Sequence, residues 1–129
     1  MPKDSQTLRR VYSFYKRQPR PAAEVQGEAD LLIYQTKYVT SSTAITPDDE
    51  YIVVDSSGGP ITITLPVVSS GNDGLGFIIK DCAGQASVNN ITINGNGKNI
   101  DGSGTYVMNI DYQGIQIIYS NDANTWSAV

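Results

Sequence analysis

Asp48, Asp49 and Glu50 follow Pro47 directly and form the densest run of carboxylates in a chain of 129 residues that contains no histidine. Paired carboxylates can hydrolyse glycosides, one protonating the leaving oxygen while the other activates water or attacks the sugar. Adjacent positions in a proline-led turn point into solvent rather than across a substrate, so the group reads as a solvated turn. Without an imidazole the chain cannot build serine–histidine or cysteine–histidine triads or the usual zinc sites. Cys82, the one cysteine, has neither a histidine nor a second cysteine to activate it or pair with it, and reads as a small packing or turn residue. The segment Asn94-Gly-Asn-Gly-Lys-Asn-Ile-Asp-Gly102 is rich in oxygen, as a calcium loop must be. Its single carboxylate, Asp101, and the lack of a closing glutamate make it a turn instead. Gly71, Gly74 and Gly76 could line a phosphate-cradling loop, but no Lys-Ser/Thr ending or helix follows, so they read as a β connection. The expectation is a non-enzyme with no metal and no cofactor.

Two further groups could bind rather than react. Tyr34, Tyr38, Tyr51, Tyr106, Tyr112, Tyr119 and Trp126 could offer flat faces to sugar rings, although core packing or contact between subunits accounts for them better. Residues 1–21 hold six cationic side chains against Asp4, a balance of +5, whereas residues 22–129 balance at −9. A basic leader on an acidic body places the two in different surroundings. Arg9, Arg10, Tyr12, Phe14, Tyr15, Lys16, Arg17 and Arg20 fit docking on an acidic protein lattice better than binding to nucleic acid.

These groups need a scaffold to position them, and the scaffold reads as strands. Branched and aromatic residues fill Lys37–Ile45, Tyr51–Asp55, Ile61–Leu65, Phe77–Asp81, Ile91–Asn94, Tyr106–Ile110, Gly114–Tyr119 and Thr125–Val129, with turn residues between nearly all of them. Ser56 to Pro60 supplies a chain reversal. The pattern predicts an all-β fold, an antiparallel β-sandwich or barrel-like domain over 36–129, carrying an extended N-terminal arm over 1–35. Apolar residues alternate with threonine in Ile61-Thr-Ile-Thr-Leu65, so one face packs. Ile115, Ile117 and Tyr119 share one face of their run and Ile118 lies on the other, which hints at contact beyond the subunit. Ile61-Thr-Ile-Thr is echoed by Ile91-Thr-Ile-Asn, but two copies fall short of the three or more units of a solenoid. Pro19-Arg-Pro21 interrupts any helix in the arm, which is expected to order only against a partner. Apolar runs such as Ala29 to Tyr34 fall far short of the roughly 20 residues a membrane span needs, and the charged N-terminus has no signal-peptide core. A soluble product made in the cytoplasm, with no membrane partner, is expected.

The run Tyr51-Ile-Val-Val-Asp-Ser-Ser-Gly-Gly-Pro-Ile-Thr-Ile-Thr-Leu-Pro66, with Ile78-Ile-Lys-Asp81, Asn89-Asn-Ile-Thr-Ile93, Ile100-Asp-Gly102 and Asn124-Thr-Trp126 after it, resembles a β module of bacteriophage and other viral fibre and decoration proteins. The resemblance covers roughly Lys37 to Val129. It implies a homotrimer at the virion surface, attached through its N-terminal segment to a major capsid protein or another virion protein, with the β domain projecting. It carries no catalytic residue. A short arm before one β module departs from the repeated shaft of a long fibre, and implies capsid decoration, cement or a short head fibre. The alternative is a tail-fibre tip or adhesin that binds a host cell-surface glycan. The anchoring residues would be the eight of the arm named above. The subunit interface would involve Ile115, Ile117, Ile118 and Tyr119.

Overall fold

The computed structural model describes residues 33–129, so the eight anchoring residues of the arm lie outside the described residues. The described residues form nine strands: β1 (Thr36–Val39), β2 (Thr43–Ala44), β3 (Tyr51–Val54), β4 (Ile61–Thr64), β5 (Gly76–Asp81), β6 (Ile91–Asn94), β7 (Thr105–Met108), β8 (Gly114–Ser120) and β9 (Thr125–Ala128). They make two sheets, A in the order β1-β3-β5-β8-β9 and B in the order β2-β4-β6-β7. The fold is all-β, as the alternation predicts.

The chain changes sheet after each of its first five strands, going from A to B and back again. Strands that leave and return in this way run in the same direction, so β1, β3 and β5 are parallel in A, and β2, β4 and β6 are parallel in B. This corrects the expected antiparallel pairing, which holds only for β5 with β8, β8 with β9, and β6 with β7. Ser56 to Pro60 likewise does not close a hairpin; it carries the chain from β3 in one sheet to β4 in the other. A five-residue turn-rich linker reads the same in sequence whether it folds a strand back on its neighbour or arches it to a second sheet. The run Lys37–Ile45 divides for the same reason. Its middle is the crossing between β1 and β2.

The faint echo between Ile61 and Ile91 is therefore structural: β4 and β6 lie side by side, with Ile61 opposite Ile91 and Ile63 opposite Ile93. Three coils stack (β1–β2, β3–β4, β5–β6). Their offsets vary, from Thr36 opposite Tyr51 to Ile61 opposite Ile91, and no constant period marks them in the sequence.

The inner stripes of both sheets meet in one core. Sheet A contributes Ile52, Val54, Phe77, Ile79, Ile115, Ile117, Tyr119 and Trp126, and sheet B contributes Ile61, Ile63, Ile91, Ile93 and Met108. Full burial of each large apolar side chain stabilises the fold by about 1.5–3 kcal/mol. Trp126 is fully buried between Phe77 and Tyr119, with ring centroids 6.0 and 5.4 Å away. No helix among the described residues is long and apolar enough to cross a membrane.

Candidate functional site

The densest polar arrangement lies where β5 ends. Asp81 follows the inward phase of its strand and is fully buried. Its Oδ1 accepts the backbone N–H groups of Ala83 and Gly84 at 3.1 and 3.0 Å, and Oδ2 accepts those of Gln85, Ala86 and Tyr112 at 3.1, 3.1 and 2.9 Å. Burial alone would raise its pKa, but the converging N–H donors outweigh it and hold the carboxyl below its ordinary value of 3.8. One carboxylate thus ties the loop after β5 to the turn between β7 and β8.

Tyr112 is the second half of this knot. Its φ of 60° is in the left-handed region, a strained setting for an aromatic residue that persists when neighbours over-determine it. Its N–H is fixed by Asp81, its carbonyl accepts Lys80 Nζ, and that ammonium lies 5.8 Å from the ring centroid. Gly84 lets the ring approach: with φ at +70°, a Cβ there would stand 2.5 Å from Tyr112 Cε2. Sequence reading missed this cluster. An aspartate at a strand end followed by small residues, Asp81-Cys-Ala-Gly84, is the signal for a loop-capping carboxylate, but nothing local marks Tyr112 as its partner.

One strand away, Tyr38 Oη donates to Asp55 Oδ2 at 3.1 Å, and Asp55 Oδ1 accepts Ser57 N at 2.9 Å. Hydrogen bonds from Ser57 and Tyr38 lower the Asp55 pKa, and the bond to that carboxylate raises the Tyr38 pKa. Cys82 Sγ donates to Val54 O at 3.3 Å, and partial burial of the sulfur, then the nearby Asp55, raises its pKa.

The other singled-out groups also hold loops. Of the nine carboxylates in residues 33–129, at least six accept backbone N–H groups: Asp55 and Asp81, together with Asp49 from Thr46, Asp73 from Asn121, Asp101 from Ala128 and Asp111 from Ser87. Asp49 also faces Lys37 at 4.0 Å. In the oxygen-rich segment, Asn94 Oδ1 accepts Asn96 N, Asn96 Nδ2 donates to Leu65 O, and Asn99 O accepts Trp126 N. Among the described residues no group of three or more His, Cys, Asp or Glu side chains is placed to hold a metal ion. Gly71 lies in a short 3₁₀ turn, Ser70–Asn72, on the way from β4 to β5.

Of the aromatic residues, Tyr119 and Trp126 are core, whereas Tyr38 and Tyr112 are 63% and 61% exposed. Of the four expected interface residues, Ile115, Ile117 and Tyr119 face the chain's own interior. Ile118 alone reaches the outer face of sheet A. There it joins Tyr51, Val53 and Ile78, which occupy the outward phases of β3 and β5. The register sets Tyr51 beside Ile78, and Tyr38 beside Val53, which in turn stands beside Lys80. The face is mixed: Gln116 stands beside Ile78, Gly76 and Ser127 stand beside Ile118, and Tyr38, Asp55, Lys80 and Tyr112 lie along one rim.

No family model matches this chain, and no curated protein does either. Its chemistry must be read from the arrangement itself. Asp81, the one buried carboxylate among the described residues, is committed to five backbone N–H donors.

Proposed function

We propose that this protein is a non-catalytic structural component of a virion, a capsid decoration, cement or short head-fibre protein. Its N-terminal residues attach to the particle and its β domain projects. The observation that carries this reading is the use made of the carboxylates. Asp73, Asp81, Asp101 and Asp111 each tie a loop to a segment distant in sequence, as suits a stiff display element rather than a site that must exchange protons or ligands. The charge split of +5 in residues 1–21 against −9 in residues 22–129 supports separate tasks for leader and body. So does the resemblance of Lys37 to Val129 to viral fibre and decoration modules. As a homotrimer, three leaders acting together raise avidity without any single strong contact.

The test removes residues 1–30 and follows co-sedimentation with particles. The truncated protein is expected to stay folded, by circular dichroism, and to remain in the supernatant. Attachment that survives the deletion would overturn the anchor.

A second reading, a glycan-binding tip, is favoured by one observation: Tyr38 and Tyr112 are both exposed, with Asp55 and Lys80 beside them. It predicts saturable binding on a glycan array that Tyr112→Ala abolishes, and an array without hits sinks it.

A further inference from the structure

Asn94-Gly95 and Asn96-Gly97 are the two Asn-Gly pairs of the chain, and they adjoin one another where β6 ends. Such pairs are chemically labile. The backbone nitrogen after an asparagine can attack the side-chain amide carbon, and glycine leaves that approach open because it has no Cβ. The attack needs that nitrogen to be free of other bonds, and a backbone able to bend toward the side chain. The fold treats the two pairs differently.

At Asn94 the attacking nitrogen is engaged, since Gly95 N donates to Gly104 O at 3.0 Å. Asn94 is also held in β6, between Thr64 and Thr105. Its carbonyl accepts Leu65 N at 2.9 Å, and its Oδ1 accepts Asn96 N at 2.8 Å. Gly95 is buried, and a Cβ there would stand 1.9 Å from Lys98 O, so this stretch of backbone has little room to turn.

Asn96 and Gly97 are both exposed. They are the central residues of a tight turn, with φ of 53° and 97°, closed by Lys98 N donating to Gly95 O at 3.3 Å. Among the described residues no group accepts the N–H of Gly97, and nothing lies within 4 Å of the place a Cβ would take there. One bond holds the Asn96 amide, from Nδ2 to Leu65 O at 3.0 Å. Bending the turn costs that bond and the long one that closes it, which puts this segment at the low-stability end of the fold.

We propose that Asn96 is a site of spontaneous covalent modification, and that the fold protects Asn94 from the same reaction. Gly97 N bonds to Asn96 Cγ, the bond from Cγ to Nδ2 breaks, and Nδ2 leaves as ammonia with the proton that Gly97 gives up. Water then opens the five-membered imide at either carbonyl, giving aspartate or isoaspartate. The net change is one water consumed and one ammonia released. Either product loses the donor to Leu65 O and gains a carboxylate. Residues 33–129, with three lysines against nine carboxylates, thereby pass from a balance of −6 to −7.

The test ages the full chain in mildly alkaline buffer and locates each conversion by proteolysis and tandem mass spectrometry, as a gain of about 1 Da. In the folded protein Asn96 is expected to convert at least about tenfold faster than Asn94. In concentrated urea, where neither pair is held, the two rates are expected to agree within about threefold. Equal rates in the folded protein, or conversion that begins at Asn94, overturn the proposal. So does an Asn96 that converts only in urea. Asn96→Asp reproduces one product and is expected to melt below the wild type, because Leu65 O loses its partner. An unchanged melt would overturn the claim that the fold registers the modification.

Discussion

On the outside of sheet A, Tyr51, Val53 and Ile78 occupy the positions that Thr62, Thr64 and Thr92 occupy on the outside of sheet B. The inner stripes of the two sheets are both buried and rich in isoleucine, joined by valine and aromatic residues in sheet A and by Met108 in sheet B. Threonine and valine are both branched at Cβ, and strand geometry accepts either on a pleated surface. The requirements of the fold therefore explain why both faces are branched but not why one is apolar. The contrast is partial, since Val107 stands beside Thr92 outside sheet B and Gln116 beside Ile78 outside sheet A. The rims differ too. Sheet A secures the loops leaving β3 and β5 with carboxylates, Asp55 and Asp81, whereas sheet B leaves β6 through a turn that depends on the missing side chain of Gly95.

The largest expected effect comes from breaking the sheet A rim. Asp81→Asn removes the charge and turns an NH₂ group toward N–H donors that the carboxylate had satisfied. With hydrogen bonds to a charged group worth about 1.5–3 kcal/mol each, and several lost or opposed, the cost is expected to reach about 3–5 kcal/mol. Urea unfolding at neutral pH measures it, and a loss under about 1 kcal/mol would show that the knot is dispensable. The same residue gives stability a pH dependence. Its folded pKa lies below the ordinary 3.8, so its contribution is complete above the unfolded value and disappears as pH falls through the folded one. Wild-type stability is expected to drop in the acid range below pH ~4. Asp81→Asn should flatten that drop, leaving the smaller part due to Asp55, whose pKa is also lowered.

A smaller loss is expected on the sheet B rim. A Cβ on Gly95 would stand 1.9 Å from the carbonyl oxygen of Lys98, a backbone atom fixed by the turn. Gly95→Ala must displace that turn and with it the bond from Gly95 N to Gly104 O, at an expected cost of about 2–3 kcal/mol. Gly97 offers the contrast: nothing lies within 4 Å of a Cβ there, and the penalty comes from its φ of +97° alone. A thermal melt of Gly95→Ala no lower than that of Gly97→Ala would contradict the steric account.

Alternation and turn residues made nearly every strand legible in the sequence, because both depend on neighbours within a few positions. Direction and sheet membership were not legible. The pairing of β4 with β6 rests on residues 30 apart, Ile61 and Ile91, while Thr36 and Tyr51 pair across half that separation, and irregular connections erase the period that would betray a stack. The site divided similarly. Ile118 stood out because it breaks the alternation of its own strand, whereas Ile115, Ile117 and Tyr119, expected at the subunit interface, face the chain's own core. The knot of Asp81, Gly84 and Tyr112 joins residues up to 31 positions apart, and only the folded chain brings them together.

The smallest expected effect sharpens the comparison most. If the outer chemistry of each sheet is independent of folding, then Val53→Thr on sheet A and Thr92→Val on sheet B should each leave stability within about 0.5 kcal/mol of wild type, since size and branching are conserved. Both residues are half-buried at outward positions, where neighbours across the strands shield one side of the group that changes. A shift above about 1 kcal/mol in either variant would mean that cross-strand packing on that face helps to hold the sheet. The contrast between threonine and valine would then be partly a demand of the fold. If neither shifts, Val53 contributes nothing to the stability of the body that threonine could not, and outer side-chain chemistry at these two positions is free of the demands of the fold.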